Sequence, residues 1–487
     1  MSEFVFSTAS QLAHSIRSRE VSSVEVIEAH LDRIRKHNSP LNAIATLNEE
    51  QARERAREAD AALARGEIWG PLHGVPVTIK DSFETEALTT TSSYKPLAHY
   101  RPRQDATVVA RVRAAGAILL AKTNLPELAL DIQSASPIFG RANNPWDLER
   151  TPGGSTGGGA AAVAAGLSPL EIGSDIGGSI RIPSHFCGLF GFKPTEHRVP
   201  QSGHIPGLPG DPKTVRHMAV FGPLARSVED LKLCLSVIYG PDGRDWEVPP
   251  VPLEEGPDRP LEEAAFAWTD DFGGVPVTAD TRSALEKVAQ TLSVRGCRVE
   301  RLNPPGFDFA AAWRAFGEIV GTETGANLPL RLRVIGALTG PILSRKDPLF
   351  CAMMRGFRLD MRRYMKALTL RDSLIGALER FLGDRDAWIC PVSATPAFKH
   401  KRPAARLPGQ PIEVDGLKIP YWVAGVSYTS VFNLTGNPVV VLPVARSGEG
   451  LPIGVQVVGR RWQDMRLLAL AQRVADVTGP FQPPPGY

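Results

Sequence analysis

Cysteine is scarce in this chain, and the residues present form no recognisable pair. The five cysteines are widely dispersed, at Cys187, Cys234, Cys297, Cys351 and Cys390, and no C-x-x-C motif occurs. A small, odd and scattered set argues against a disulfide framework and against a zinc cluster. The sequence therefore predicts a protein of a reducing compartment, without a structural metal.

Long apolar runs are also missing. No stretch approaches the roughly 18 uninterrupted apolar residues of a membrane-spanning helix, and the richest one, residues 158–167, is short and dominated by Ala and Gly. The first twenty residues lack the basic segment, apolar run and small-residue cleavage site of a signal peptide. We expect a cytoplasmic protein without a membrane anchor.

Charge of one sign is not in excess either. The chain has 55 basic and 52 acidic residues and a net charge of +3, so charge alone favours neither a nucleic acid nor a membrane surface as a partner. The hydrophobic content of 43% and charged content of 22% are typical of a globular protein. The 487 residues could form several domains, although α/β enzymes of this size can also form one large core.

Strand and helix patterns alternate along the chain. Val75, Val77 and Ile79 alternate with polar or small positions, which predicts a strand that ends at Lys80. Residues 308–382 look mostly helical, while 433–444 and 451–459 look like strands that return to the main sheet. This alternation predicts a single large α/β domain whose central mixed, mostly parallel sheet is covered by helices on both faces.

Three short segments carry the most specific signal: GVPVTIKDSF (residues 74–83), TPGGSTGGGAAAVAAG (151–166) and IGSDIGGSIRIPSHFCGLFGFKPT (172–195). They contain Lys80 at a strand end and two serines, Ser155 and Ser179, in glycine-rich loops. A lysine and two serines are the ingredients of a nucleophile activated without histidine. The segments resemble the amidase signature family, whose members hydrolyse carboxamides with a Ser-Ser-Lys triad.

The resemblance covers about residues 5–235 and 380–475, judged by pattern matching. It implies one amidase domain over residues 1–487. Within it we expect a signature core at about 65–235, a variable, substrate-side helical region at about 300–430, and C-terminal return strands at about 430–475.

Ser179 is the candidate nucleophile. Gly177 and Gly178 precede it and free the backbone to expose consecutive N–H groups, which can hold the oxygen of a tetrahedral intermediate. In the resemblance this loop is the oxyanion hole, formed here by the amides of Ile176, Gly177, Gly178 and Ser179.

The other two members of the triad follow from the same resemblance. It implies that the Gly154–Ser155 peptide bond is cis and that the Ser155 hydroxyl relays a proton between Ser179 and Lys80. Lys80 would be the base, because burial disfavours the ammonium form and lowers the pKa of the amine. No cofactor and no metal are implied.

Substrate contacts are expected at Ala129, Gly154 and Thr156, of which Ala129 would line the acyl side. Residues 128–131 depart from the family pattern, so substrate preference transfers least safely there. Further along the chain, Trp313, Phe316, residues 349–354, Phe357 and Tyr364 could form either an apolar substrate channel or an ordinary helical core.

Several alternatives stay open. Gly153-x-Ser155-x-Gly157 also fits the nucleophile elbow of α/β-hydrolases, although no hydrophobic strand directly precedes it. Asp175 and Arg181 flank Ser179 and are interpreted as a brace for the loop. His185, His197 and His204 are not needed if lysine is the base.

The predicted function is hydrolysis of a small-molecule carboxamide through an acyl-enzyme, with aryl amides, esters and carbamates as further substrates of the same machinery. One alternative is the amidase subunit of a glutamine-dependent tRNA amidotransferase, and another is a catalytically silent binding or scaffold protein. A homodimer is compatible with each interpretation.

Overall fold

A computed structural model describes residues 4–256, 259–343, 347–403 and 409–487. Residues 344–346 and 404–408 belong to the predicted variable region and lie outside the described residues, as do 1–3 and 257–258.

The helical pattern predicted over residues 308–382 is confirmed, because four helices lie within residues 309–381. The first two helices, Ala9–Arg17 and Ser23–Leu41, begin with a capping box, in which a Ser or Thr side chain and the residue three positions later satisfy each other's backbone N–H groups. In chain order the α-helices are α1 (Ala9–Arg17), α2 (Ser23–Leu41), α3 (Glu49–Ala64), α4 (Thr107–Ala114), α5 (Gly157–Ala164), α6 (Arg181–Cys187), α7 (Val228–Ile238), α8 (Ala279–Val294), α9 (Phe309–Gly325), α10 (Leu330–Leu343), α11 (Pro348–Gly356), α12 (Met361–Phe381), α13 (Tyr421–Leu434) and α14 (Asp464–Thr478).

The strands form one large sheet and two small hairpins. They are β1 (Ile44–Leu47), β2 (Pro76–Lys80), β3 (Ile118–Thr123), β4 (Ala135–Ser136), β5 (Gly140–Arg141), β6 (Leu170–Asp175), β7 (Phe190–Lys193), β8 (Val220–Ala225), β9 (Ala265–Trp268), β10 (Arg298–Arg301), β11 (Ala387–Pro391), β12 (Ile412–Val414), β13 (Leu417–Ile419), β14 (Val439–Arg446) and β15 (Pro452–Val458). The large sheet has 11 strands in the order β1-β3-β2-β6-β8-β7-β14-β15-β11-β9-β10.

The mixed sheet of the prediction is confirmed, but its strand directions need a correction. Only β2 with β3 and β6, and β9 with β10 and β11, pair in parallel among the described strands, and the antiparallel pairs outnumber them. The expected mostly parallel sheet assumed a helical crossover between successive strands. Between β7 and β8, and in the short turn between β14 and β15, no helix intervenes among the described residues, so each chain segment returns antiparallel.

A second correction concerns the predicted strand at 433–444. Asn433 belongs to the last turn of α13, and the strand begins only at Val439. The segment 451–459 is confirmed as a strand, because β15 lies within it.

Helices cover the sheet on both faces, and β14 illustrates why. Its side chains alternate between two hydrophobic cores: Val440 and Leu442 belong to one, whereas Val439 and Val441 belong to the other. This alternation is the two-residue period of a strand buried on both sides. The chain forms a single α/β domain, and none of its described helices is both long and apolar enough to cross a membrane.

Candidate active site

Lys80 ends strand β2 and is completely buried. Its Nζ donates to Ser155 Oγ at 2.7 Å and to Ser174 Oγ at 2.9 Å. Burial lowers the pKa of Lys80 to about 7, although the negative charges of Asp175 and Glu171 oppose the shift. The amine is therefore partly neutral near pH 7 and touches a hydroxyl whose proton it can accept.

Ser155 lies in the loop before α5, and the Gly154–Ser155 bond is cis, as predicted. No strand leads into this loop, since the residues directly before Ser155 are irregular. The context that a nucleophile elbow requires is thus missing at this serine. The Thr156 amide donates to Ser179 O at 3.1 Å, which joins the two serine loops.

Ser179 lies between the end of β6 and the start of α6. It lines the same cavity as Ser155, but the two serines differ in access: Ser179 is 9% exposed and Ser155 only 1%. A nucleophile must contact the substrate, whereas a hydroxyl that relays a proton needs to contact only the proton donor and the proton acceptor. The difference favours Ser179 as the residue that a substrate reaches first.

An ion pair holds the Ser179 loop from behind. Arg181 donates to both carboxylate oxygens of Asp175, at 3.0 and 2.9 Å, and all of these atoms are buried. Arg181 also contacts Asn433, and Asn433 Nδ2 donates to Asp175 Oδ1 at 2.9 Å. Burial alone would raise the pKa of Asp175, but Arg181, together with the hydrogen bonds from Asn433 and the Ile180 amide, outweighs burial and lowers that pKa. This is the brace expected from the sequence.

The Asp175 carboxylate also accepts hydrogen bonds from backbone amides of the glycine loop. The Gly178 amide donates to Asp175 Oδ1 at 2.8 Å and the Ile180 amide donates to Oδ2 at 3.0 Å. The hydrogen of Gly178 therefore points toward Asp175. An oxyanion hole built on this loop rests on the other three predicted amides, those of Ile176, Gly177 and Ser179.

Two cavities meet at Ser179. The first, of about 220 Å³, has a wall of polar and charged residues that includes Gln201, Lys213 and Asp245. The second, of about 120 Å³, is lined mostly by apolar side chains of α9 and α11: Phe316, Val320, Leu349, Phe350, Met353 and Met354. Ile176 and Ala129 line both cavities, and Gly177 lines the apolar one.

The residues that could form either a channel or a core lie in different surroundings. Phe316 and Phe357 line the apolar cavity. Trp313 instead donates its indole N–H to Ser427 O at 3.0 Å, and Tyr364 donates to Glu323 Oε1 at 2.8 Å. Both arrangements occur, and on α9 they occur one turn apart, at Trp313 and Phe316.

The sequence of this chain matches a known protein family. The family model described as Amidase matches residues 25–468. The chain belongs to the amidase signature family. Amidase signature enzymes are amide hydrolases, and so is this chain.

The matches to its relatives cover nearly the whole chain. It is 34% identical over 471 residues to the indoleacetamide hydrolase of Bradyrhizobium diazoefficiens, a match that covers 95% of this chain and 85% of that protein. It is 33% identical over 495 residues to a glutamyl-tRNA(Gln) amidotransferase subunit from Moorella thermoacetica, covering 96% of each chain. The solved structure of 6-aminohexanoate cyclic dimer hydrolase with its substrate superimposes with a TM-score of 0.80 at 26% identity, over 98% of both chains.

Within this amidase signature enzyme, the three predicted substrate contacts lie in different places. Ala129 lines both cavities. Gly154 packs against backbone, since a Cβ there would lie 2.7 Å from Asp131 O, and Thr156 is fully buried behind Ser155. Those two residues shape the serine loop, and a direct contact with substrate stays a prediction.

Of the three histidines named in the sequence analysis, His185 has a structural partner, whereas His204 borders the polar cavity. His185 Nδ1 accepts from the Gly454 amide at 2.7 Å, and burial lowers the pKa of this imidazole to about 4. His204 does line the polar cavity, between the rings of Phe83 and Phe221. Burial, followed by the charge of Lys80, holds the pKa of His204 well below its usual value.

Sequence reasoning missed Ser174, the second hydroxyl that Lys80 contacts. The residue lies in the strand β6, five positions before Ser179, and nothing in the motif distinguishes it from an ordinary strand serine. The parallel pairing of β2 with β6 was the signal that could have identified it.

Proposed function

We propose that this enzyme hydrolyses the carboxamide of a small molecule with an apolar acyl group, through an acyl-enzyme on Ser179. The observation that carries the proposal is the apolar cavity between α9 and α11, which reaches Ser179 and Gly177 while Lys80 and Ser155 lie behind. An acyl group in that cavity would bring its carbonyl to the glycine loop. Esters, carbamates and aryl amides pass through the same kind of oxyanion and are expected as further substrates.

In the proposed reaction, Ser179 Oγ attacks the carbonyl carbon and its proton passes to Ser155, whose own proton passes to Lys80 Nζ. The carbonyl oxygen becomes an oxyanion that faces the amides of Ile176, Gly177 and Ser179. When the intermediate collapses, the C–N bond breaks and the relay returns the proton to the leaving amine. Water then cleaves the acyl-enzyme along the same route, with Lys80 again as the base.

The size and chemistry of the cavity favour an aromatic or branched aliphatic acyl group. The similarity to indoleacetamide hydrolase agrees with this choice. The similarity to the amidotransferase protein suggests glutamine instead. The cavity lining includes one carboxylate, Asp131, already bonded to Tyr421 OH, but no lysine or arginine within the described residues. A glutamine carboxylate would be buried there without a cation, at a large cost in desolvation.

The test is a comparison of kcat/KM for indole-3-acetamide, phenylacetamide and L-glutamine with the purified chain. We expect turnover of both apolar amides and a far lower value for glutamine. Preference for glutamine would contradict the proposal and favour the amidotransferase alternative. No turnover of any amide, ester or carbamate would favour the binding-protein alternative.

A matched pair of variants locates the acyl group. Met353→Gln places an amide in the apolar cavity, and we expect KM for phenylacetamide to rise by about tenfold or more, since burying an unpaired polar group costs about 1–3 kcal/mol. Met365→Gln makes the same change on α12, where the side chain is exposed, and should leave KM unchanged. Equal KM values in the two variants would show that the apolar cavity does not hold the acyl group.

A further inference from the structure

Glu171 is a buried carboxyl that the proposed reaction does not use. It lies on β6, where it pairs with Thr78 of β2, and its side chain is completely buried. Its Oε1 accepts from the Thr123 hydroxyl at 2.6 Å, and Thr123 is the residue of β3 that pairs with Lys80. Because β2 lies between β6 and β3, the carboxyl and the hydroxyl meet above β2. Thr78 and Lys80 are two positions apart in β2 and so share a face of the sheet.

Helix α5 closes this site from the other side. A Cβ at Gly159 would lie 2.4 Å from the carboxyl carbon of Glu171 and 2.4 Å from its Oε1. The third glycine of the Gly157–Gly159 run therefore makes room for a carboxyl group. The second oxygen, Oε2, is buried and has no hydrogen-bond partner in the described part of the chain. An unpaired buried acid is costly unless something compensates its charge.

We propose that Glu171 is a positioning residue for the base: its carboxylate stabilises the ammonium group that Lys80 becomes when it takes the nucleophile's proton. The inference rests on the proposed role of Lys80. The proton leaves the Ser179 hydroxyl, passes through Ser155 and ends on Lys80 Nζ, while the negative charge moves to the carbonyl oxygen of the substrate. A positive charge thus appears in a dry site, and Glu171 supplies the balancing negative charge.

The other charges around Lys80 leave this role to Glu171. Asp175 attracts the ammonium more strongly than Glu171 does, but its charge is already paired with that of Arg181. Lys122 of β3 favours the charged form of Glu171, and Lys80 disfavours the charged form of His204, which lies beside Phe83. Helix α5 adds no charge, because it consists only of glycine, alanine and valine. Burial raises the pKa of Glu171 to about 7, against the bond from Thr123, so this acid and Lys80 titrate in the same range.

The experiment compares pH profiles of kcat/KM for the wild-type enzyme and for Glu171→Gln, which keeps the size and an acceptor for Thr123. Removing the negative charge lowers the pKa of Lys80, so the ascending limb should move to lower pH by about one unit, while the plateau falls by about tenfold. Asp230→Asn is the matched control, because Asp230 is a buried carboxylate that caps α1 through the amides of Ala9 and Ser10, outside both cavities. The ascending limb of the pH profile of Asp230→Asn should not move.

Thr123→Val serves as the second variant where Glu171→Gln does not fold. It removes the hydroxyl that favours the ionised carboxylate, and we expect a smaller shift of the limb in the same direction. The proposed role of Glu171 would be overturned if the ascending limb of the pH profile does not move in the variants that fold. If Lys80→Ala is inactive in the same experiment, the proposed function stays intact. Normal turnover by Lys80→Ala would instead contradict the proposed function itself.

Discussion

At the residue scale, the proposed role of Lys80 as a base depends on its burial. Lys80 is surrounded by protein, and its Nζ contacts two hydroxyl groups and no carboxylate within hydrogen-bond distance among the described residues. Its ammonium form is therefore poorly solvated, and the pKa falls to about 7 from its usual value near 10.5. The same chemistry at an exposed lysine would be blocked at neutral pH.

Lys80→Ala should lower kcat/KM by roughly 10²-fold or more, the usual loss when a general base is removed. The neutral amine is the active form, so the wild-type kcat/KM should rise with pH through about 7 and level off above it. Lys80→Arg should be as poor, because a guanidinium does not give up its proton. Rate profiles from pH 5 to 9 check this.

A second buried lysine provides the control. Burial also lowers the pKa of Lys193 to about 7, but its Nζ donates to Pro194 O rather than to a serine of the site. Lys193→Met should leave the ascending limb in place. If Lys80→Ala and Lys193→Met behave alike, the pKa of Lys80 has no special part in the reaction.

The brace behind the nucleophile loop makes a separate prediction about stability. Asp175→Asn leaves the buried Arg181 without its anion and should lower the free energy of unfolding at pH 7 by about 3–5 kcal/mol. Glu58→Gln, in the exposed pair with Arg55, should cost less than about 1 kcal/mol. Urea denaturation of both variants measures the contrast, and equal losses would contradict it.

The pH dependence of that loss follows from the direction of the shift. The folded state lowers the pKa of Asp175 below its usual value, so its contribution is complete above about pH 4 and is lost as the pH falls below it. The difference between wild type and Asp175→Asn should therefore narrow at pH 3. A constant difference would mean that folding does not shift the pKa of Asp175.

Sequence motifs predicted Lys80, Ser155 and Ser179 as the triad, because their types and their glycine context are unusual, and in the structure Lys80 contacts Ser155 while both serines line one cavity. They did not identify Glu171 or Ser174, which look like ordinary positions of a strand. Their importance depends on which strands are neighbours, and in particular on Thr123 of β3 reaching across β2. Nor could the glycine pattern show that the Gly178 amide turns toward Asp175.

At the scale of elements, close contact between helices shapes the apolar cavity. A Cβ at Gly321 of α9 would lie 2.0 Å from Met353 O of α11, the helix that lines the other side. The glycine thus sets how near the two helices come, and the position of Met353 follows from it. Sequence periodicity predicted these helices, but not which faces pack together.

Gly321→Ala should push α9 and α11 apart. We expect a loss of about 1–3 kcal/mol in the free energy of unfolding, as in other overpacked cores, together with a changed KM for apolar amides. Gly376→Ala, on α12, meets only the flexible end of Arg380 and should be neutral or stabilising by about 0.5–1 kcal/mol. Thermal denaturation and KM of both variants test this, and a neutral Gly321→Ala would refute the close contact.

Strand direction was the main error at this scale. Alternating strand and helix patterns predicted crossovers, yet β7 and β8, and β14 and β15, pair as antiparallel neighbours. The parallel part that was predicted correctly, β3-β2-β6, is the part that holds Lys80 and Glu171. The motif residue Lys80 therefore lies in the part of the sheet whose strand directions were predicted correctly.

At the scale of the whole molecule, one chain contributes every group of the proposed reaction. Ser179, Ser155, Lys80 and both cavities lie within a single α/β domain. We expect the purified chain to hydrolyse apolar amides without any added protein, with activity per chain unchanged on dilution from micromolar to nanomolar concentration. Gel filtration at both concentrations shows whether a dimer dissociates over this range. Activity that appears only with a partner protein would favour the amidotransferase alternative.

The central claim is that Ser179, and not Ser155, forms the acyl-enzyme. Mass spectrometry of the enzyme after reaction with a fluorophosphonate tests it directly, with Ser179→Ala and Ser155→Ala as matched variants. We predict one adduct, on the peptide that contains Ser179, no adduct in Ser179→Ala, and slow labelling of Ser179 in Ser155→Ala. An adduct on Ser155, or normal labelling of Ser179→Ala, would contradict the account.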